Sequence, residues 1–132
     1  MPSVVDFLPN EEDSINLENN GSITMELDRD TIKNSDEIRI QWWKDNALEN
    51  GFDKNDEQIE INGINEWVVT PNEQGQYIVS LSNAELKALN SYGWVIYCVA
   101  HNIYNGQLTE AYSTTINIKN LGIPEEEEEI IE

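Results

Sequence analysis

Trp94-Val95-Ile96-Tyr97-Cys98-Val99-Ala100 is apolar on both faces of an extended chain. A strand with that pattern is central in its sheet, and something covers its second face. The segments around it alternate instead. Downstream, Tyr112-Ser113-Thr114-Thr115-Ile116-Asn117-Ile118 sets Tyr112, Thr114, Ile116 and Ile118 on one side. Upstream, Tyr77-Ile78-Val79-Ser80-Leu81 aligns Tyr77, Val79 and Leu81; Ile38–Trp43 aligns Ile38, Ile40 and Trp42; Ser22–Leu27 aligns Ile23, Met25 and Leu27. Period two with one apolar face is the pattern of a half-buried strand. Gln58–Ile61 and Trp67–Val69 are shorter strand candidates.

Four of the seven glycines follow asparagine: Asn20-Gly21, Asn50-Gly51, Asn62-Gly63 and Asn105-Gly106. Asn-Gly suits tight hairpin turns, because both residues tolerate positive φ. Only Ser82-Asn83-Ala84-Glu85, followed by Leu86 and Leu89, reads as helix. It is a capping-box pattern, and it predicts one or two turns between strands. Residues 1–16 and 121–132 read as arms around a domain of residues 17–120, marked by Pro9, Gly122 and Pro124.

The chain has 132 residues, one ordinary domain's length, with four Trp and five Tyr to fill a core. Seven Lys and Arg stand against 26 Asp and Glu, for a net charge of −19. Six of those carboxylates lie in residues 125–132, so residues 1–124 carry −13. A duplex-nucleic-acid binder needs a basic face, and so does a binder of anionic lipid, so neither is expected. No apolar stretch is long enough to span a bilayer. The N-terminus lacks the basic and apolar regions of a secretory signal, so the expected site of synthesis is a cytoplasm. Asn20-Gly21-Ser22 fits a glycosylation sequon, read here as a turn.

In their order along the chain these features resemble an immunoglobulin-like β-sandwich. Ile38–Asp45 looks like strand C, with Trp42 as the inward tryptophan. Val79–Ala84 is similar to the end of strand E and its turn. Cys98-Val99-Ala100-His101-Asn102 is similar to the strand F signature, and Asn105-Gly106 to the F–G hairpin. The resemblance implies a Greek-key sandwich of about seven strands with one short helix between strands E and F. Two features of antibody-type domains are missing. Ile23 or Met25 stands where the partner cysteine would sit, and Ile96 replaces the corner tyrosine. These departures resemble disulfide-free Ig-like domains, of the kind found in bacteriophage capsid decoration and tail proteins.

Few residues point to chemistry. His101 is the single histidine and reads as a polar residue at a strand end. Cys98, the single cysteine, has apolar neighbours and reads as a buried thiol. One Cys and one His cannot close a zinc site. Asp53-Lys54-Asn55-Asp56-Glu57 and Asp28-Arg29-Asp30 offer oxygen ligands, but without the spacing of an EF-hand they read as solvated loops. No enzymatic activity, cofactor or metal is expected.

The informative feature is the second face of the 94–100 strand. With Ile96 and Cys98 inward, Val95, Tyr97 and Val99 point outward and join Trp43 in an apolar-aromatic patch on the C–F–G sheet. Such a patch on a charged domain marks a partner surface, unless Val4, Val5, Phe7 and Leu8 fold back over it. The acidic tail offers a second contact: Glu125, Glu126, Glu127, Glu128 and Glu129 as an electrostatic arm, with Ile130 and Ile131 as apolar anchors. The function expected from these readings, and from the resemblance, is a non-enzymatic auxiliary protein of a bacteriophage virion. It would dock on a major capsid protein or another virion component. The alternatives are an acidic nucleic-acid mimic that inhibits a DNA-binding enzyme, and a carbohydrate- or cell-surface-binding module using Trp43 or Trp67.

Overall fold

The alternating segments form strands, and each turns its apolar side inward. The computed structural model describes residues 2–46 and 53–119. Among these, nine strands and one α-helix follow in order: β1 (Ser14–Ile15), β2 (Ile23–Leu27), β3 (Glu37–Lys44), β4 (Glu57–Gln58), β5 (Trp67–Val69), β6 (Tyr77–Leu81), α1 (Asn83–Ala88), β7 (Val95–Tyr104), β8 (Gln107–Tyr112) and β9 (Ile116–Ile118). The result is an all-β sandwich. β2 and β6 pair antiparallel in the smaller sheet. In the larger sheet β7 is central, flanked by β3 on one side and by β8 and β9 on the other. β3, β7 and β8 thus lie side by side in one sheet, as expected for the segments read as strands C, F and G.

The core lies between the sheets. Trp42 and Cys98 occupy paired positions on β3 and β7, and both are buried. Ile23, Met25, Val79 and Leu81 face them from the smaller sheet. No disulfide joins the two sheets; apolar packing alone holds them together there.

Turn and helix chemistry follows the sequence closely. Asn62-Gly63 and Asn105-Gly106 both have positive φ at both residues, as a type I′ turn requires. Asn20 is left-handed too, but it ends a 3₁₀ turn over Leu17–Asn19. Asn50-Gly51 lies outside the described residues. In α1 the Ser82 hydroxyl accepts from the Glu85 amide at 3.1 Å, and the Glu85 carboxylate accepts from the Ser82 amide at 2.9 Å. Asn83 then ties the helix to the sandwich, donating to the carbonyls of Leu17 and Gly21 at 2.8 Å each. Ser82→Ala is expected to lower stability by about 1 kcal/mol, read by urea denaturation, with Ser82→Asp close to wild type. Equal losses in both variants would exclude a capping role.

Three expectations are corrected. Residues 1–16 are not a free arm. Phe7 bridges to Leu27 beside β2, Val5 is buried in the core, and β1 pairs parallel with β9. The Asn102 amide holds the Ser3 carbonyl at 2.5 Å. Burying Val5 and Leu17 drives this docking; the acidic run between them concealed the pattern. Second, His101 does not end its strand. β7 continues to Tyr104, because the Asn105-Gly106 turn sets the end of the hairpin. Third, residues 112–118 are not one continuous strand. Ser113 breaks the ladder: its hydroxyl accepts from the Cys98 amide at 2.8 Å and donates to the Thr114 carbonyl. Ala111 and Ser113 are buried, then Ile116 and Ile118, so the inward phase slips by one residue at the break. The slip has the effect of a β-bulge. It puts Tyr112 on the face opposite Ile116.

Candidate functional site: the outer face of the larger sheet

Alternation along β3, β7 and β8 assigns one set of side chains to the outer face. From β3 come Glu37, Arg39, Gln41 and Trp43; register places them beside Ile103, His101, Val99 and Tyr97 of β7. Glu110 and Tyr112 of β8 stand beside His101 and Val99, and Leu108 beside Ile103. Val68 of β5 stands beside Arg39. Val68, Leu108 and Tyr112 are exposed, at 59%, 53% and 40%.

The predicted patch of Trp43, Val95, Tyr97 and Val99 is brought to this face, but not as an exposed apolar surface. Tyr97 is 0% exposed and Val99 3%. Trp43 and Val95 are half-buried. Alternation determines direction and not depth, and the long side chains of β3 and β8 lean over a central strand. Nor does the N-terminal segment provide the cover: Val5 is buried in the core, Phe7 bridges to Leu27 of the smaller sheet, and β1 adds to the edge of the larger sheet beside β9. Tyr97 is closed off by the loop that carries Asp56. The Tyr97 hydroxyl donates to Asp56 at 2.7 Å, and its ring lies 6.2 Å from that of Tyr112. Burial first, then the Asp56 carboxylate, raises the Tyr97 phenol far above its ordinary value.

From sequence alone Asp56 reads only as part of a polar loop. Besides Tyr97 it accepts from the amides of Asn46, at 2.8 Å, and Asp53, at 3.1 Å. Its oxygens are thus engaged in holding the loop. Asp28 likewise caps a 3₁₀ turn by accepting from the Asp30 amide. Among the described residues no group of three His, Cys, Asp or Glu side chains converges as metal ligands would. Glu125–Glu129, Ile130 and Ile131 lie outside the described residues. Trp67, the other proposed sugar platform, pairs with Ile40 and packs against the core.

A polar network crosses the rest of the face. Arg39 donates to Glu37 at 2.6 Å and reaches Glu66 at 3.4 Å. Gln41 donates to Glu66 at 3.1 Å and accepts from the Trp43 indole at 3.0 Å. Next to this network a groove of about 190 Å³ opens between β3 and β8, lined by Gln41, Trp43, Val99, His101, Glu110 and Tyr112. Its floor holds His101, whose side chain is only 10% exposed. Neither imidazole nitrogen has a hydrogen-bond partner, and Nδ1 lies 3.4 Å from Glu110. Nothing in the sequence pattern marks this site beyond an isolated histidine. A larger hollow of about 490 Å³ lies along Leu8–Glu12 and β2, but no buried polar group lines it.

Cys98 is fully buried, and burial pushes its thiol well above the ordinary value, which leaves it protonated and unreactive. Both shifts predict a pH effect. The folded pKa values of Cys98 and Tyr97 exceed the unfolded ones, 9.0 and 10.0. The stabilisation is therefore complete below pH 9 and is lost as pH rises, by about 1.4 kcal/mol per pH unit for each group once it ionises in the unfolded chain. Urea midpoints between pH 8 and 11 should fall more steeply for wild type than for Cys98→Ala/Tyr97→Phe. Parallel slopes would refute the assignment.

Among the described residues no helix is long and apolar enough to cross a membrane. No protein-family model matches the chain, and no curated protein matches its sequence.

Proposed function

We propose that this protein is a non-enzymatic docking module that attaches to a larger assembly through the outer face of its larger sheet. The observation that carries this reading is the exposure of Val68, Leu108 and Tyr112 on that one face, around a groove with a buried imidazole that makes no hydrogen bond. Scattered single apolar residues are ordinary on a surface; several on one sheet face, interleaved with charged pairs, have the make-up of a partner surface. Cys98 is sealed in the core and the Asp56 carboxylate is engaged in holding its loop, so the reactive side chains serve the fold.

Within this class, the assembly we favour is a bacteriophage virion, with a capsid or other virion protein as partner. That step rests on the resemblance to disulfide-free Ig-like domains of decoration proteins, which is analogy at the level of fold. The acidic segment 125–132 would add an electrostatic contact to a basic region of the same partner.

The test is to add purified protein to capsids assembled without it. Saturable binding is expected. The double substitution Val68→Glu/Leu108→Glu should weaken it at least about tenfold, since two charges would be desolvated on docking. Absence of binding by wild type would refute the virion role. Undiminished binding by the double variant would refute the assigned face.

A further inference from the structure

We infer that the groove between Trp43 and Tyr112 is a receptor for a single arginine side chain of the docking partner. This deepens the docking proposal above and rests on it.

Size comes first. About 190 Å³ is well short of the roughly 300–1,000 Å³ of small-molecule and cofactor sites, and suits one inserted side chain.

Chemistry selects which one. The charge around the groove is negative: Glu110 stands at its rim, while Arg39, the cation of the neighbouring network, is engaged by Glu37 and Glu66. On a chain of net charge −19 the complementary partner surface is basic. The groove also has acceptor capacity to spare. His101 is nine-tenths buried with no hydrogen bond to either nitrogen, and its Nδ1 lies 3.4 Å from Glu110, beyond good hydrogen-bond length. Glu110 Oε1 accepts from the Tyr112 hydroxyl at 3.3 Å, and the carboxylate keeps further lone pairs for an incoming donor. A donor-only group supplies what such a site lacks. A guanidinium is donor-only, weakly hydrated and planar, so it can stack on the Tyr112 or Trp43 ring while its N–H groups meet the Glu110 carboxylate. An ammonium matches the charge but not the planar stack.

Tyr112 reaches the groove because of the phase slip at Ser113. With the inward phase of Ile116 it would point into the core. The break in the ladder thus builds one wall of the receptor.

The experiment uses the full chain and three capped tripeptides, Gly-Arg-Gly, Gly-Lys-Gly and Gly-citrulline-Gly, followed by NMR. The arginine peptide should bind at millimolar concentration and shift the Trp43 indole, His101 and Tyr112 signals. The lysine peptide should bind more weakly and the neutral citrulline peptide not measurably. Glu110→Gln should weaken arginine binding about tenfold, and Glu26→Gln on the smaller sheet should leave it unchanged. Equal binding of citrulline, shifts spread over the acidic surface, or an unaffected Glu110→Gln variant would each overturn the inference. If the arginine peptide fails while Val68→Glu/Leu108→Glu still abolishes capsid binding, the arginine receptor falls and the docking face stands. If both fail, both readings fall.

Discussion

Truncating Trp42 to alanine is expected to lower the unfolding free energy by roughly 3–5 kcal/mol. Trp42 is the largest fully buried side chain in the sandwich, at 1% exposure, on the inner face of β3 directly beside Cys98. A domain of this kind has a total stability of about 5–15 kcal/mol, so the variant would sit near the edge of folding. Two features keep the loss from being absorbed. The indole lies between sheets that each have other contacts to keep, so the cavity cannot simply collapse. And no inter-sheet disulfide restrains the unfolded chain. Trp42→Phe retains much of the apolar area and should lose less than half as much. Denaturant unfolding at constant slope is the measurement; a loss under about 1 kcal/mol for alanine would mean Trp42 is not the keystone of the core.

The second large effect is expected at Asp56. Replacement by alanine removes the acceptor for three donors at once: the Asn46 amide, the Asp53 amide and the buried Tyr97 hydroxyl. Hydrogen bonds to a charged group contribute about 1.5–3 kcal/mol each, and a stranded buried donor adds its own desolvation cost. The loop can relax towards water, so a total near 3 kcal/mol is expected. Tyr97→Phe leaves the two amides satisfied and should cost only about 1 kcal/mol. The double variant should then match Asp56→Ala alone to within a few tenths of a kcal/mol, because the shared bond is lost once. Strict additivity would show that Tyr97 and Asp56 do not act through each other. Opening the loop should also expose the Tyr97 ring, which quenching of tyrosine fluorescence would detect.

How far the sequence could be read depended on the range over which each signal acts. Alternation over five or more residues located β2, β3 and β6, and a capping box located α1, because both are written in adjacent positions. The same logic failed where the deciding partner lies far along the chain. Tyr97 is covered by Asp56, 41 residues away, and the Ser3 carbonyl is held by Asn102, 99 residues away. Alternation could assign Tyr97 and Val99 to the outer face, yet it could not tell an exposed side chain from one shaded by its neighbours. The phase slip at Ser113 was hidden because Tyr112, Thr114, Ile116 and Ile118 keep a perfect period of two in the sequence. The deciding event, a hydroxyl taking over an amide of β7, leaves no mark in the pattern. The groove was unreadable for that reason: two of its six lining residues come from β8, just before that slip.

The parallel pairing of β1 with β9 has a mechanical consequence. The chain enters at the near end of β1 and leaves at the far end of β9, and the two strands run in the same direction. Tension applied between Asp13 and Lys119 therefore pulls them along their length in opposite senses. The amides of Asn117 and Lys119, bonded to the carbonyls of Asp13 and Ile15, are then loaded together in shear and do not open one after another. A sandwich clamped in this way would resist being drawn open by a pull along its long axis more than one whose terminal strands peel apart.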